Sequence, residues 1–191
     1  MAAARAGRPL DAEATRRIHR AALDQLARRG FAAMTMEGVA EAAAVGKPAL
    51  YRRHRDKAEL VVAALGAALP ELHPPPRGDP REALAGLLEQ VLGGGETARV
   101  VAMAAGLLAV ADDHPELMAA YRERVLEPRR ALAVAVVRRA QEHGDVRAGV
   151  DPDQAVDALT GQILARLWRG GPLDRPWRER TLRWWWSWAG A

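Results

Sequence analysis

Apolar residues recur at spacings of three and four along this chain, and nothing from Arg81 onward reads as a strand, so the pattern predicts helices. The first runs from Asp11 to Arg29, with Ile18, Ala22 and Leu26 on one face and Gly30 as its stop. A short helix follows, capped by Thr35 with Glu37 in its first turn, and Met36, Val39, Ala40 and Ala43 form its apolar face. Ala44-Val45-Gly46 breaks that pattern, with Val45 as an apolar plug, and a second short helix opens at Lys47-Pro48, where a missing N–H does no harm. Asp56-Lys57-Ala58-Glu59 is a capping box for a helix reaching about Leu69, with Leu60, Ala64 and Ala68 on one face.

Five prolines between Pro70 and Pro80 exclude a helix and mark a domain boundary. Beyond it, helices are predicted over Arg81–Leu92 and Glu96–Ala111, the latter apolar nearly all round and so expected at the centre of the core. His114-Pro115 starts the next, which Pro128 either kinks or divides, and Leu132, Val136 and Val137 continue its stripe to Gly144. Asp151-Pro152 opens a helix carrying Val156, Leu159, Ile163 and Leu167. After Gly170-Gly171-Pro172, the last helix places Leu173, Trp177, Thr181, Trp184 and Trp188 at steps of three or four. The expected fold is all-α, about nine helices: residues 1–56 as one domain, 57–80 as a connecting helix and linker, and 81–191 as a second domain.

The second short helix carries the chemistry. Leu50 and His54 fall within about 40° of each other, so Leu50 points inward and Arg52 outward, with Tyr51, Arg53 and Lys47 around it. A short helix with a cationic and aromatic outer face suits the major groove, where arginine bonds guanine O6 and N7. The N–H groups and lysine at Lys57 make an anion site suited to a phosphate. Charge agrees: residues 1–60 hold twelve Lys plus Arg and seven Asp plus Glu, a net of +5, whereas the whole chain is only +4. Arg5 and Arg8 lie on a terminal arm that either reaches DNA or is a plain tail.

Gly30-Phe31, Thr35, Val39-Ala40, Val45-Gly46-Lys47, Leu50-Tyr51-Arg52-Arg53 and Asp56-Lys57 to Leu60 together resemble the helix-turn-helix of the TetR family of bacterial transcriptional regulators. The resemblance implies a three-helix N-terminal DNA-binding domain whose contacts come from Thr35, Lys47, Pro48, Ala49, Tyr51, Arg52, Arg53 and Lys57. It implies a C-terminal helical body that binds a small-molecule effector and forms a homodimer through its last two long helices. Met103, Leu107, Leu108, Met118 and Tyr121 are the first candidates for the effector pocket. Leu159, Ile163, Leu167, Trp168, Trp184, Trp185 and Trp188 are those for the dimer interface. Partners would be a palindromic double-stranded operator, an effector and a second copy, with no membrane, in a cytoplasmic, nucleoid-associated protein. The chain departs from the family at Ala44, where glycine is usual, at Ala49, where Ser or Thr is common, and at His54-Arg55, where an aromatic-proline pair is common. A left-handed Ala44 costs roughly 1–2 kcal/mol.

Composition narrows the alternatives. Without cysteine there are neither disulfides nor thiolate metal sites, and the apolar run Val100–Ala111 is too short for a bilayer. MAAARAGRPLD has no apolar region of the kind a signal peptide needs. Asp112-Asp113-His114 with Glu116 reads as a helix boundary sooner than a metal site; no catalytic constellation is visible, and neither a cofactor nor an enzyme activity is expected. A repressor is the leading reading. The others are an activator or ligand-independent regulator of the same fold, and a helical ligand-binding protein without specific DNA binding.

Overall fold

The computed structural model describes residues 11–75, 78–94 and 96–191, and the described chain is helical throughout. Arg5, Arg8 and the expected arm lie outside the described residues. The helices are α1 (Ala12–Ala33), α2 (Met36–Ala42), α3 (Lys47–Tyr51), α4 (Lys57–Ala68), α5 (Pro80–Leu92), α6 (Thr97–Gly106), α7 (Pro115–Tyr121), α8 (Glu127–Glu142), α9 (Pro152–Trp168) and α10 (Arg175–Ala189). A 3-10 turn over Leu107–Val110 follows α6, and a π turn over Arg122–Leu126 joins α7 to α8 without a break. Counted as one rod, α7 and α8 bring the described helices to the expected nine. Pro128 lacks the N–H that would close the preceding turn, and the chain widens into the π turn just before it instead of dividing.

The chain divides into two compact units after Leu65. In the first, α1 begins at Asp11, whose carboxylate accepts the Glu13 N–H at 2.9 Å. Its regular part stops at Gly30, which stands at φ +71°. Ile18, Ala22, Leu26, Phe31, Met34, Met36, Val39, Ala40, Ala43, Leu50, Leu60 and Leu65 are buried, the apolar stripes of four helices meeting in one small core. The Asp56 carboxylate accepts the Glu59 N–H at 2.8 Å, but the Glu59 carboxylate accepts from Arg55 N–H, at 2.9 Å, rather than from Asp56. Half of the predicted capping box forms, and its other arm reaches one residue further back.

The second unit is centred on α5, α8, α9 and α10, with Leu84, Leu87, Val136, Val137, Ala140, Ala155, Val156, Trp185 and Ala189 as its main buried cluster. The position of α6 differs from expectation: it buries only Thr97, Val100 and Ala104, while Ala102 and Gly106 are exposed. Much of its apolar character is alanine and glycine, which bury too little area to demand a central place. An isolated antiparallel bridge between Val146 and Gly190 ties the end of α10 to the loop after α8. Among the described residues no single helix is long and apolar enough to cross a membrane.

Candidate nucleic-acid interface

The interface starts from how α2 ends. Ala43 N–H bonds the Val39 carbonyl at 2.9 Å, Ala44 N–H the Glu41 carbonyl at 3.0 Å and Val45 N–H the Ala40 carbonyl at 3.0 Å. Closing that last ring requires the residue between to be left-handed, and Ala44 stands at φ +52°, the only described non-glycine residue with positive φ. The chain then re-enters a helix at Lys47-Pro48, with Gly46 as its N-cap. α3 is five residues long and buries one side chain completely, Leu50.

Opposite Leu50, Lys47, Pro48, Tyr51 and Arg52 are exposed and Ala49 is half-buried. Tyr51 keeps 46% of its surface open, unusual for an aromatic side chain beside a core. Among the described residues the Arg52 guanidinium makes no hydrogen bond or ion pair, so its five donors face solvent. Lys47 pairs with Glu37 at 3.5 Å across the turn, both side chains being solvent-exposed. A hydrogen bond from the Glu37 backbone amide, and then the Lys47 charge, hold the Glu37 carboxyl below its ordinary value. Thr35, also exposed, spends its hydroxyl on the Gly38 N–H at 3.1 Å, as a cap of α2.

Three other cations of this unit turn to backbone carbonyls near helix ends. Arg17 of α1 donates to Ala43 O at 3.1 Å, at the end of α2. Arg53 donates to Ala49 O at 2.7 Å, within α3, and to the Thr15 hydroxyl at 3.2 Å. The Lys57 ammonium donates to Phe31 O at 2.8 Å and Ala32 O at 3.3 Å, and sits 4.3 Å from the centroid of the Phe31 ring. Carbonyls at helix C-termini carry the negative end of the dipole, so a cation there is stabilising. Of the site residues read from the sequence, the structure therefore brings Lys47, Pro48, Tyr51 and Arg52 together on one open face. It turns Arg53 and Lys57 inward. Thr15 and Arg17 went unnoticed in the sequence, as did the part Phe31 plays beneath Lys57, because these are partnerships across 26 to 38 residues that no local spacing betrays.

His54 is buried at 6% exposure, and its Nε2 lies 3.3 Å from Nε2 of His19. One of the two nitrogens is then the donor and the other the acceptor, so the accepting ring is neutral. Burial, followed by the neighbouring His54, lowers His19 to about 4; burial chiefly lowers His54 as well, with Glu59 opposing and Arg53 adding to the effect.

In the second unit the five effector-pocket candidates differ widely in exposure. Leu107 is fully buried, Leu108 is 65% exposed, and Met103, Met118 and Tyr121 are half-buried. Two concavities of this unit are lined by other residues. A groove of about 820 Å³ along α8 is lined by Arg130, Val134, Arg138, His143 and Asp153 among others. A smaller one of about 450 Å³ is lined by Gly66, Leu69, Leu72, Val125 and Arg129 among others. Two interface candidates lie within the chain's own core: Trp185 is fully buried, its indole N–H donating to Ala155 O at 2.8 Å, and Leu159 is buried in the same cluster. Ile163 and Leu167 are half-buried, whereas Trp168, Trp184 and Trp188 are open at 94%, 46% and 40%. The rings of Trp184 and Trp188 stack with centroids 6.4 Å apart and planes inclined by 6°.

Known proteins match the chain over both halves. Residues 18–64 fit the family model described as bacterial regulatory proteins, tetR family, and residues 74–183 the one described as tetracyclin repressor-like, C-terminal domain. The uncharacterized HTH-type transcriptional regulator YdeS of Bacillus subtilis (strain 168) is 29% identical over 165 residues, covering 84% of this chain and 81% of YdeS. The crystal structure of the TetR family transcription regulator SCO0332 is 28% identical with a TM-score of 0.57, over 89% of this chain and 94% of that one. NalD, the secondary repressor of the MexAB-OprM multidrug efflux pump in Pseudomonas aeruginosa, shares the fold at 21% identity and a TM-score of 0.63, over 94% and 98% of the two chains.

Proposed function

We propose that this chain, which belongs to the TetR family of transcriptional regulators and carries its DNA-binding helix-turn-helix, is a homodimeric repressor that an effector releases from a palindromic operator. The observation that carries the reading is the outer face of α3, where Arg52 and Tyr51 stand exposed directly behind a buried Leu50. Arg52 reads a base edge in the major groove, Tyr51 and Lys47 hold flanking phosphates, and Thr35, Pro48 and Ala49 shape the surface around them. Arg53 and Lys57 support that surface from inside the unit. Two copies present their α3 helices about 34–36 Å apart, one to each half-site.

The open Trp168, Trp184 and Trp188 support the homodimer, since large aromatic surface on the terminal helices is stabilised by a partner. Repression is what the name of NalD states for that protein, and the shared fold extends it here. The effector binds in the second unit and favours the non-binding conformation by about 5.5 kcal/mol if it is to empty a nearly full operator.

The test is selection of bound duplexes from a random DNA pool at near-physiological salt, with wild type and Arg52→Ala side by side. Wild type is expected to recover a palindrome, and Arg52→Ala to lose about 1–3 kcal/mol of preference at one position of each half-site. A folded dimer that recovers no motif would refute the reading.

A further inference from the structure

We infer that Arg53 is a positioning residue of α3, and that Thr15 on α1 governs operator preference through it without touching DNA. The inference rests on the DNA-reading role proposed for Arg52 and Tyr51.

α3 has five residues, too few to hold its own direction, and one side chain, Leu50, anchored completely in the core. His54, just past its end, is buried too and meets His19 of α1, but it lies on the same side as Leu50, and two anchors in line leave a short helix free to swivel about them. The fixed point off that line is Arg53. Its Nε–H donates to Thr15 Oγ1 at 3.2 Å, and a terminal guanidinium nitrogen donates to Ala49 O at 2.7 Å. The Thr15 hydroxyl passes its own proton on to Asp11 O at 3.3 Å, and Thr15 N–H bonds the same carbonyl at 3.1 Å. Asp11 is the residue that caps α1. One line of hydrogen bonds therefore runs from the first turn of α1, through Thr15 and Arg53, into α3.

The planar guanidinium fixes direction as well as distance, because its donors leave the ring of charge at set angles. Lysine, with one mobile ammonium, holds the charge but not the angle. Arg52 and Tyr51 immediately precede Arg53 in the chain, so a swivel of α3 carries both of them across the base edges. A bidentate arginine contact tolerates little of this: a site about 1 Å too loose no longer functions.

A phosphate-gripping Arg53 and a positioning Arg53 leave different signatures. The first adds affinity uniformly across sequences and about one unit to the salt slope. The second decides which bases are preferred and leaves the slope as it is. Thr15 separates them, since an uncharged α1 side chain adds nothing to counterion release.

The experiment uses the full chain and compares wild type, Thr15→Val, Thr15→Ser and Arg53→Lys in duplex selection and in salt titrations on the wild-type operator. Thermal melting establishes that each variant is folded. Thr15→Val and Arg53→Lys are expected to change base preference about tenfold at the same operator positions, with an unchanged salt slope, and Thr15→Ser is expected to restore the wild-type motif. A wild-type motif from Thr15→Val, or from Arg53→Lys, would overturn the inference, because the hydroxyl or the fork would then be dispensable. A changed motif in Thr15→Ser equal to that of Thr15→Val would overturn it too, since the hydroxyl would not be the operative group. If wild type itself selects no motif, the DNA-reading role fails first, a result distinct from either.

Discussion

Ala44 holds a left-handed backbone, φ +52°, in the turn between α2 and α3, where an L side chain pays for the conformation and glycine does not. Relief of roughly 1–2 kcal/mol of strain, set against the greater freedom glycine has in the unfolded chain, leaves a gain of about 0.5–1 kcal/mol. Ala44→Gly is therefore expected to raise the unfolding free energy of the protein in urea by that amount, with operator affinity unchanged. A second residue-scale effect lies in the His19–His54 pair. With His19 lowered to about 4 from 6.5, the unfolded chain takes up protons on falling through pH 6.5 while the folded chain does not until about 4. Stability from this pair is full above pH 6.5 and declines between 6.5 and 4. Since His19 is partly open to solvent, about 1–2 kcal/mol is at stake. Unfolding measured at pH 7.5 and pH 5 should show a smaller loss in His19→Gln than in wild type; an equal loss would assign the acid sensitivity to other groups.

At the scale of elements, Trp185 and Trp168 are opposites in one protein. Trp185→Ala empties a fully buried site and strips Ala155 O of its donor, at a cost of about 3–5 kcal/mol. Trp168→Ala should change the unfolding free energy of a single chain by no more than about 0.5 kcal/mol. Urea titrations of the two variants below the dimerisation range test the pair. These residues also show where sequence pattern stops being informative. The helix was legible in α10, but its phase was not: Trp177, Thr181, Trp184 and Trp188 form one apolar series, while Trp177, Thr181, Trp185, Trp186 and Ala189 are the residues buried. With tryptophan at 184, 185 and 186 alike, apolarity cannot say which faces inward, and the distinction falls to contacts such as the Trp185–Ala155 bond. α6 misleads for the converse reason, since its alanines and glycine mark no face at all. The first unit was legible because α1 and α2 alternate apolar with charged residues and three of its four helix starts carry side-chain caps, Asp11, Thr35 and Asp56. Its internal cation contacts were not legible, because an arginine reads alike whether it meets a phosphate or a carbonyl.

For the whole molecule, the stacked and open Trp184 and Trp188 give the assembly a direct test. The double variant Trp184→Glu/Trp188→Glu is expected to sediment as a monomer with wild-type helix content, and to lose affinity for a two-half-site duplex far more than for a single half-site. A dimer that survives both charges would move the interface away from this part of α10. Charge is divided as unevenly as aromatic surface: the first sixty residues carry +5 and the rest −1. That excess overstates the cations available to DNA, since Arg17, Arg53 and Lys57 already grip Ala43, Ala49, Phe31 and Ala32. Under the role proposed for α3, redesign for a new operator has a small palette, Lys47, Tyr51 and Arg52. The three inward cations add little to that palette by direct contact: Arg53 would shift base preference only by re-aiming α3, and changes at Arg17 or Lys57 would release the Ala43, Phe31 and Ala32 carbonyls they hold.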